Sequence, residues 1–350
     1  MRKRRLIAAV AVAAAASLLA ACGGGSGSPD GPITFVSTGG DFQDAQIKAW
    51  QQPFTAANGT QFVNTGPPDQ AKLKTMVESG TSDWDVLDQD PSFANLYGPK
   101  YLEKIDFNIV DKSVYPPNTV SEYGVPAYFY GTFMLYNTNA YANNPPTSVK
   151  DFFDLQRFPG KRIVPAIRNM NVTNVLEFAL LADGVPPDKL YPIDVDRALK
   201  KLDTIKPQLT FATNYGQIQQ AMDGQQASMV LSLTARAALA IKNRAPYKVI
   251  WEHAFVNWDD LVVVKGTPRK EAAMKFIQFV SQPAQQQAFS TSATMFPGNP
   301  KVSVKYPDPS QEAVNVFAPE HKAGLIYTNV DWWAKNLDDV VAKTTAWSIG

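Results

Sequence analysis

Hydrophobic and polar positions alternate between two periods along this chain. Ile33-Thr34-Phe35-Val36-Ser37 has the short apolar run of a strand. Thr38-Gly39-Gly40-Asp41 follows as a turn, with Asp41 placed to cap a helix whose apolar positions are Ala45, Ile47, Trp50 and Phe54. A strand at Gln61–Asn64, a helix at Lys72–Ser79 closed by Gly80, and a strand at Trp84–Asp88 come next, the last ending in the polar group Asp88-Gln89-Asp90. This β-α-β-α-β order predicts a doubly wound sheet, which binds ligands at the carboxyl ends of its strands, where both polar turns fall. Further on, Asp194 caps a helix carrying Val195, Ala198, Leu199, Leu202 and Ile205 on one face, and Pro207 ends it. Tyr215–Met222 reads as a helix stopped near Gly224, and Met229–Leu233 and Leu261–Val264 as strands. Thr267-Pro268 opens a helix with Ala273, Phe276, Ile277 and Val280 turned inward, closed by Pro283. Strand and helix patterns thus alternate, the signature of α/β architecture.

The first residues follow another pattern. Arg2, Lys3, Arg4 and Arg5 precede an apolar run from Leu6 to Ala21, shorter than the roughly 20 residues a membrane span needs. Residues 1–21 read as a signal peptide. The run ends Leu19-Ala20-Ala21-Cys22, which resembles a bacterial lipobox, in which the cysteine is lipidated and becomes the first mature residue. Cys22 is the single cysteine of the chain and sits where a thioether to diacylglycerol would form; an ordinary secretory signal with an incidental cysteine is the alternative. The Gly/Ser-rich residues 22–31 read as a flexible tether. The expected location is the extracytoplasmic face of a bacterial membrane, lipid-anchored.

With 350 residues, the chain suits two domains better than one. Setting the four leader cations aside leaves 29 basic against 32 acidic residues, which argues against a nucleic-acid partner. One cysteine permits neither a disulfide framework nor a Cys-based zinc site, and two histidines, His253 and His321, offer little to any other metal. No Gly-x-Ser-x-Gly elbow and no His-Glu-x-x-His helix is present, and no carboxylate pair stands out as catalytic. The expectation is a non-enzyme with no cofactor and no metal. A lipid-anchored hydrolase is the rival from another class.

Several segments carry a resemblance. They are Trp84-Asp85-Val86, the stretch from Gly124-Val125-Pro126 through Gly131-Thr132 to Tyr136-Asn137, the run Leu181-Ala182-Asp183-Gly184-Val185-Pro186, and Trp332-Trp333 with Trp347. Their order along Ile33–Trp347 resembles the spermidine/putrescine-type extracellular solute-binding proteins of ABC importers. The resemblance implies a two-lobed periplasmic-binding-protein-like α/β fold with hinge strands and an interlobe cleft. Lobe one would hold 30–137 and 260–301, and lobe two 138–259 and 302–350. It also implies a monomer that delivers a small amine-bearing, polyamine-like solute to an ABC permease and its ATPase.

The family's habit of holding an amine with carboxylates and aromatic rings points to Asn257-Trp258-Asp259-Asp260, just before the strand at Leu261. Asp259 is the first candidate, a strand-end cap being its plainer role, and Trp258 either stacks on ligand or plugs the lobe interface. The loop Thr38, Gly39, Gly40, Asp41 and Phe42 is the second candidate, since glycines admit close approach to backbone; Phe42 could equally be core. Asp90 is favoured over Asp88 to face the cleft. The segment Ile167-Arg168-Asn169-Met170-Asn171 is basic and amide-bearing where relatives carry acids, and Leu233-Thr234-Ala235-Arg236 lacks their aromatic residue. An arginine, Arg168 or Arg236, facing the cleft would suit a carboxylate. A zwitterion or anion, such as an amino-acid derivative or aminophosphonate, is therefore the alternative ligand.

Overall fold

The computed structural model describes residues 28–167 and 173–349. The signal peptide, Cys22, most of the tether and Arg168 lie outside these residues. Among the described residues, eleven strands form one mixed sheet: β1 (Ile33–Val36), β2 (Phe62–Thr65), β3 (Val86–Gln89), β4 (Gly124–Asn137), β5 (Arg162–Pro165), β6 (Leu209–Ala212), β7 (Met229–Leu233), β8 (Tyr247–Val249), β9 (Ala254–Val263), β10 (Phe296–Pro297) and β11 (Leu325–Tyr327). The main order is β2-β1-β3-β9-β4-β7-β5-β6. Parallel strands occupy both ends, and the two long strands β4 and β9 lie antiparallel between them.

This arrangement is a two-lobed α/β fold. One end of the sheet packs Ile33, Phe35, Val86, Leu261 and Val263 among the helices Gln70–Glu78, Pro91–Tyr101, Lys270–Val280 and Pro283–Ala293. The other end packs Phe133, Met134, Leu231 and Phe255 among helices 175–182, 195–203, 215–223, 234–242 and 330–349. Strands β3 and β5 are buried along their whole length, as sheets covered on both faces require. β4 and β9 run through both ends and form the hinge.

Much of the local reading holds. Asp194 caps the helix Val195–Asp203 by accepting from the Arg197 N–H at 3.0 Å, and Ala198, Leu199, Leu202 and Ile205 are buried as their spacing demands. Two elements differ. Asp41 is not a cap: the helix Gly40–Gln46 has Gly39 at its N-cap, and Asp41 lies in its first turn. Gly39 and Gly40, with φ of 83° and 59°, turn the chain into the helix two residues earlier than a capping aspartate would. The second difference is β9, which begins at Ala254, not at Leu261. Asn257-Trp258-Asp259-Asp260 therefore stands mid-strand. Its polar side chains break the apolar alternation that marks a strand, and cross-strand pairing with β3, β4 and β11 supplies the missing order.

A buried ion pair fixes the first end of the sheet. Asp85, fully buried, accepts from the Thr34 N–H at 2.6 Å, from Arg269 Nε at 2.8 Å and from the Thr267 hydroxyl. It ties β1 and the entry to β3 onto the segment that leads into helix 270–280. Removing one partner of such a pair leaves the other charge buried and unmatched. Asp85→Ala is expected to cost about 3–5 kcal/mol, read from the midpoint of a urea unfolding curve.

Candidate functional site

Strand alternation decides which residues meet at the sheet's centre. Tyr128 and Tyr130 of β4 stand opposite Asp259 and Asn257 of β9, so all four share one face. On the neighbouring strand β3, Asp88 stands opposite Leu261, two residues from Asp259, which puts Asp88 on that face as well. Asp90 continues the same side beyond the end of β3. Asp90, Tyr130, Tyr215 and Asp259 are each only partly exposed although they lie deep in the molecule, as residues lining a cleft do.

The Tyr128 hydroxyl lies 2.8 Å from Asp259 Oδ2 and 3.1 Å from both oxygens of Asp88. It has one proton to donate and so cannot satisfy two ionised carboxylates at once. Asp88 is better supplied, accepting also from Ser37 Oγ and Gln46 Nε2. Asp90 Oδ1 caps helix 91–101 by accepting from the N–H and hydroxyl of Ser92. Among the described residues, Asp90 Oδ2 and Asp259 Oδ1 accept nothing, and no lysine or arginine pairs with Asp88, Asp90 or Asp259.

The electrostatics follow from this crowding. Burial raises the Asp259 pKa well above the ordinary carboxylate value, and the charges of Asp88 and Asp90 push it further. Burial also raises Asp90, and raises Asp88 to about 6 against the hydrogen bonds of Gln46, Tyr128 and Ser37. The phenols of Tyr128, Tyr130 and Tyr215 are pushed up by burial and then by the charge of Asp259. The site is a partly exposed cluster of carboxylate oxygens and phenol rings that lacks a counter-charge among the described residues. It suits a cationic group able to donate several hydrogen bonds.

The predicted residues divide. Asp259 and Asp90 meet. Phe42 joins them through Tyr128, with ring centroids 5.4 Å apart and edge-on, and packs equally on Phe289. Thr38, Gly40 and Asp41 are exposed at the end of β1, and nothing crowds the space above Gly39 and Gly40. Trp258 points to the opposite face from Asp259 and packs on Phe129. Arg236 is exposed on its helix and donates to Gln219 Oε1 at 3.3 Å. The linear pattern singles out none of Tyr128, Tyr130 and Tyr215. The i, i+2 spacing of Tyr128 and Tyr130 was visible; the register that sets them against Asp259 was not. A second polar hub was also missed. The Asn257 amide donates to Thr132 Oγ1 and Asn174 Oδ1, both at 3.0 Å, and accepts from Thr328 Oγ1 at 2.7 Å, joining β4, β9, the start of helix 175–182 and the end of β11.

Comparison with known proteins shows the family and the fold. The family of bacterial extracellular solute-binding proteins matches residues 49–318, and the chain belongs to that family. It is 32% identical over 324 residues, 90% of each chain, to the gamma-aminobutyric acid-binding protein of Pseudomonas aeruginosa. A solved GABA receptor is 33% identical, superposes with a TM-score of 0.83, and is matched over 91% of this chain and 97% of its own. An ABC transporter substrate-binding protein from Bradyrhizobium japonicum is 31% identical with a TM-score of 0.82, covering 91% of this chain and 99% of its own. The binding protein AgtB of A. tumefaciens, solved with agropinic acid, is 33% identical with a TM-score of 0.73 over the same shares.

The carboxylate pKa values dictate a stability profile. A carboxyl with a raised folded pKa holds its proton in the native state after the unfolded chain has released it. Stability from this cluster is therefore present at low pH and lost as pH rises from the ordinary 3.8 through about 6. Unfolding of the ligand-free protein is expected to show this decline. Asp259→Asn, which relieves the repulsion, is expected to flatten it and to add about 1–3 kcal/mol near neutral pH, measured by urea titration at a series of pH values.

Proposed function

We propose that this protein is the extracytoplasmic receptor of an ABC importer for a short primary amine that also carries an acid, of the γ-aminobutyrate type. The observation that carries the reading is the cluster of Asp90 and Asp259, with free carboxylate oxygens and no cation among the described residues. The ligand's ammonium group donates to Asp259 Oδ1 and Asp90 Oδ2, and the rings of Tyr130 and Tyr215 flank its carbon chain. Bringing in a cation discharges the repulsion that the empty site carries, so contacts from both ends of the sheet favour a closed form. The relatives named above support an amino acid as the solute. Arg168, by sequence, is the candidate partner for the acid end.

A polyamine is the second reading, favoured by the presence of more than one carboxylate in the cluster and by the resemblance to spermidine/putrescine-type receptors. Isothermal titration separates the two. γ-Aminobutyrate is expected to bind with a dissociation constant in the micromolar range or below, and 1,4-diaminobutane far more weakly; the reverse order would replace the amino-acid reading with the polyamine one. Asp259→Asn is expected to weaken binding at least about 30-fold, the cost of losing one partner of a buried charge pair. Arg168→Ala is expected to weaken γ-aminobutyrate and spare simple alkylamines. The bound amine needs ionised carboxylates, so affinity falls as pH drops through the raised pKa of the empty cluster.

Cys22 is the proposed lipid anchor, with residues 23–31 as the tether between membrane and receptor. Cys22→Ser is expected to move the protein from the membrane fraction to the medium or periplasm, followed by immunoblot of fractionated cells. Retention in the membrane fraction would remove the anchor.

A further inference from the structure

The cleft uses one face of β9. The other face carries Trp258 and Asp260, and both line a separate cavity of about 770 Å³. Its walls include Asn95 from helix 91–101, Pro116 from the loop before β4, and Tyr327 and Asp331 from the end of β11 and the start of the last helix. Asn95 Nδ2 donates to Asp331 Oδ1 at 2.8 Å and so closes one side.

Asp260 is the feature without an explanation in the fold. It is 1% exposed, yet neither of its carboxylate oxygens has a hydrogen-bond partner among the described residues. The indole N–H of the neighbouring Trp258 favours the ionised form of this carboxylate, yet is itself buried without a hydrogen-bond partner. A buried carboxylate in this condition is costly unless it takes up a proton or meets a cation. The cavity leaves room for the cation. Two carboxylates line it, Asp260 deep and Asp331 at its edge, and among the described residues no lysine, arginine or histidine does so. The pattern disfavours an anionic occupant. Two carboxylates without histidine or cysteine also fall short of the donor set a transition-metal ion needs. Aromatic surface is at hand: Tyr327 is 43% exposed, and Trp258 forms the inner wall. Proline and valine side chains offer apolar contact for a short hydrocarbon.

We propose that this cavity is a second binding site, distinct from the cleft, for a small organic ammonium ion, with Asp260 as its counter-charge and Trp258 and Tyr327 as its aromatic walls. The ammonium group donates to the two free oxygens of Asp260, and its alkyl part lies against Pro116 and the rings. The site is spatially separate from the cleft, because alternate residues of β9 point to opposite faces, although Asp260 feels the charge of Asp259 and Asp90.

The test uses the full mature chain and n-butylammonium as the probe, in an Asp259→Asn background that silences the cleft. Isothermal titration of that variant is expected to show one saturable butylammonium site. Adding Asp260→Asn is expected to weaken it by about tenfold or more, and adding Tyr327→Ala by about threefold. Tyr327 is exposed, so its truncation reads the site without disturbing the buried carboxyl. The single variant Asp260→Asn is expected to bind the solute of the cleft within about threefold of wild type. The proposal is overturned if the Asp259→Asn protein shows no saturable butylammonium binding, or binds it equally well with and without the Asp260 carboxyl. Neither result bears on γ-aminobutyrate binding in the wild-type cleft, so failure of one reading is distinguishable from failure of the other.

Discussion

The antiparallel pairing of β4 with β9 holds the molecule together. It joins the parallel strands at the two ends of the sheet, and among the described residues it is the only place where long strands run through both. Because side chains alternate across a strand, this pairing also sorts the chemistry. Tyr128, Tyr130, Asn257 and Asp259 fall on one face; Trp258 and Asp260 fall on the other. Slipping β9 by one residue would exchange its two sets and put Trp258 and Asp260 on the cleft face in place of Asn257 and Asp259.

That sorting concentrates negative charge where the fold can least neutralise it. Asp88 is held by Ser37, Gln46 and Tyr128, and Asp90 commits one oxygen to a helix cap, so both remain in place without a cation. Asp259 has only the Tyr128 hydroxyl among the described residues. The unmatched charge is a cost to the ligand-free fold, the kind of local stability deficit that binding sites carry. Another buried carboxylate shows the contrast: Asp85 is matched by Arg269, and the pair is structural. A receptor needs one site of the unmatched kind inside a scaffold of the matched kind.

Local pattern is a good guide wherever packing is decided by near neighbours. The apolar stripe of helix 195–203, the cap at Asp194 and the strand Met229–Leu233 are all in place. It fails where a distant strand supplies the order. Asn257-Trp258-Asp259-Asp260 looks like the end of a turn because no alternation marks it, and β9 extends through it only because β3, β4 and β11 pair with it. Asp41 has the composition of a cap, but the left-handed glycines before it move the helix start upstream. Trp258 and Asp259 are adjacent in the chain and so read as one site; the pleat sends them to opposite faces.

The class of protein was written in the linear chain: in the alternating strands and helices and in the collinear segments that mark an extracellular solute-binding protein. Those are properties of composition, spacing and order, which no folding is needed to expose. Folding alone fixed which acids converge, that Tyr128 must divide one proton between two of them, that Arg236 turns to solvent, and that Asp260 belongs to a different cavity from its neighbour. Each of these depends on strand register and on contacts between residues far apart in the chain, such as Tyr128 with Asp259, whose energies no local window contains.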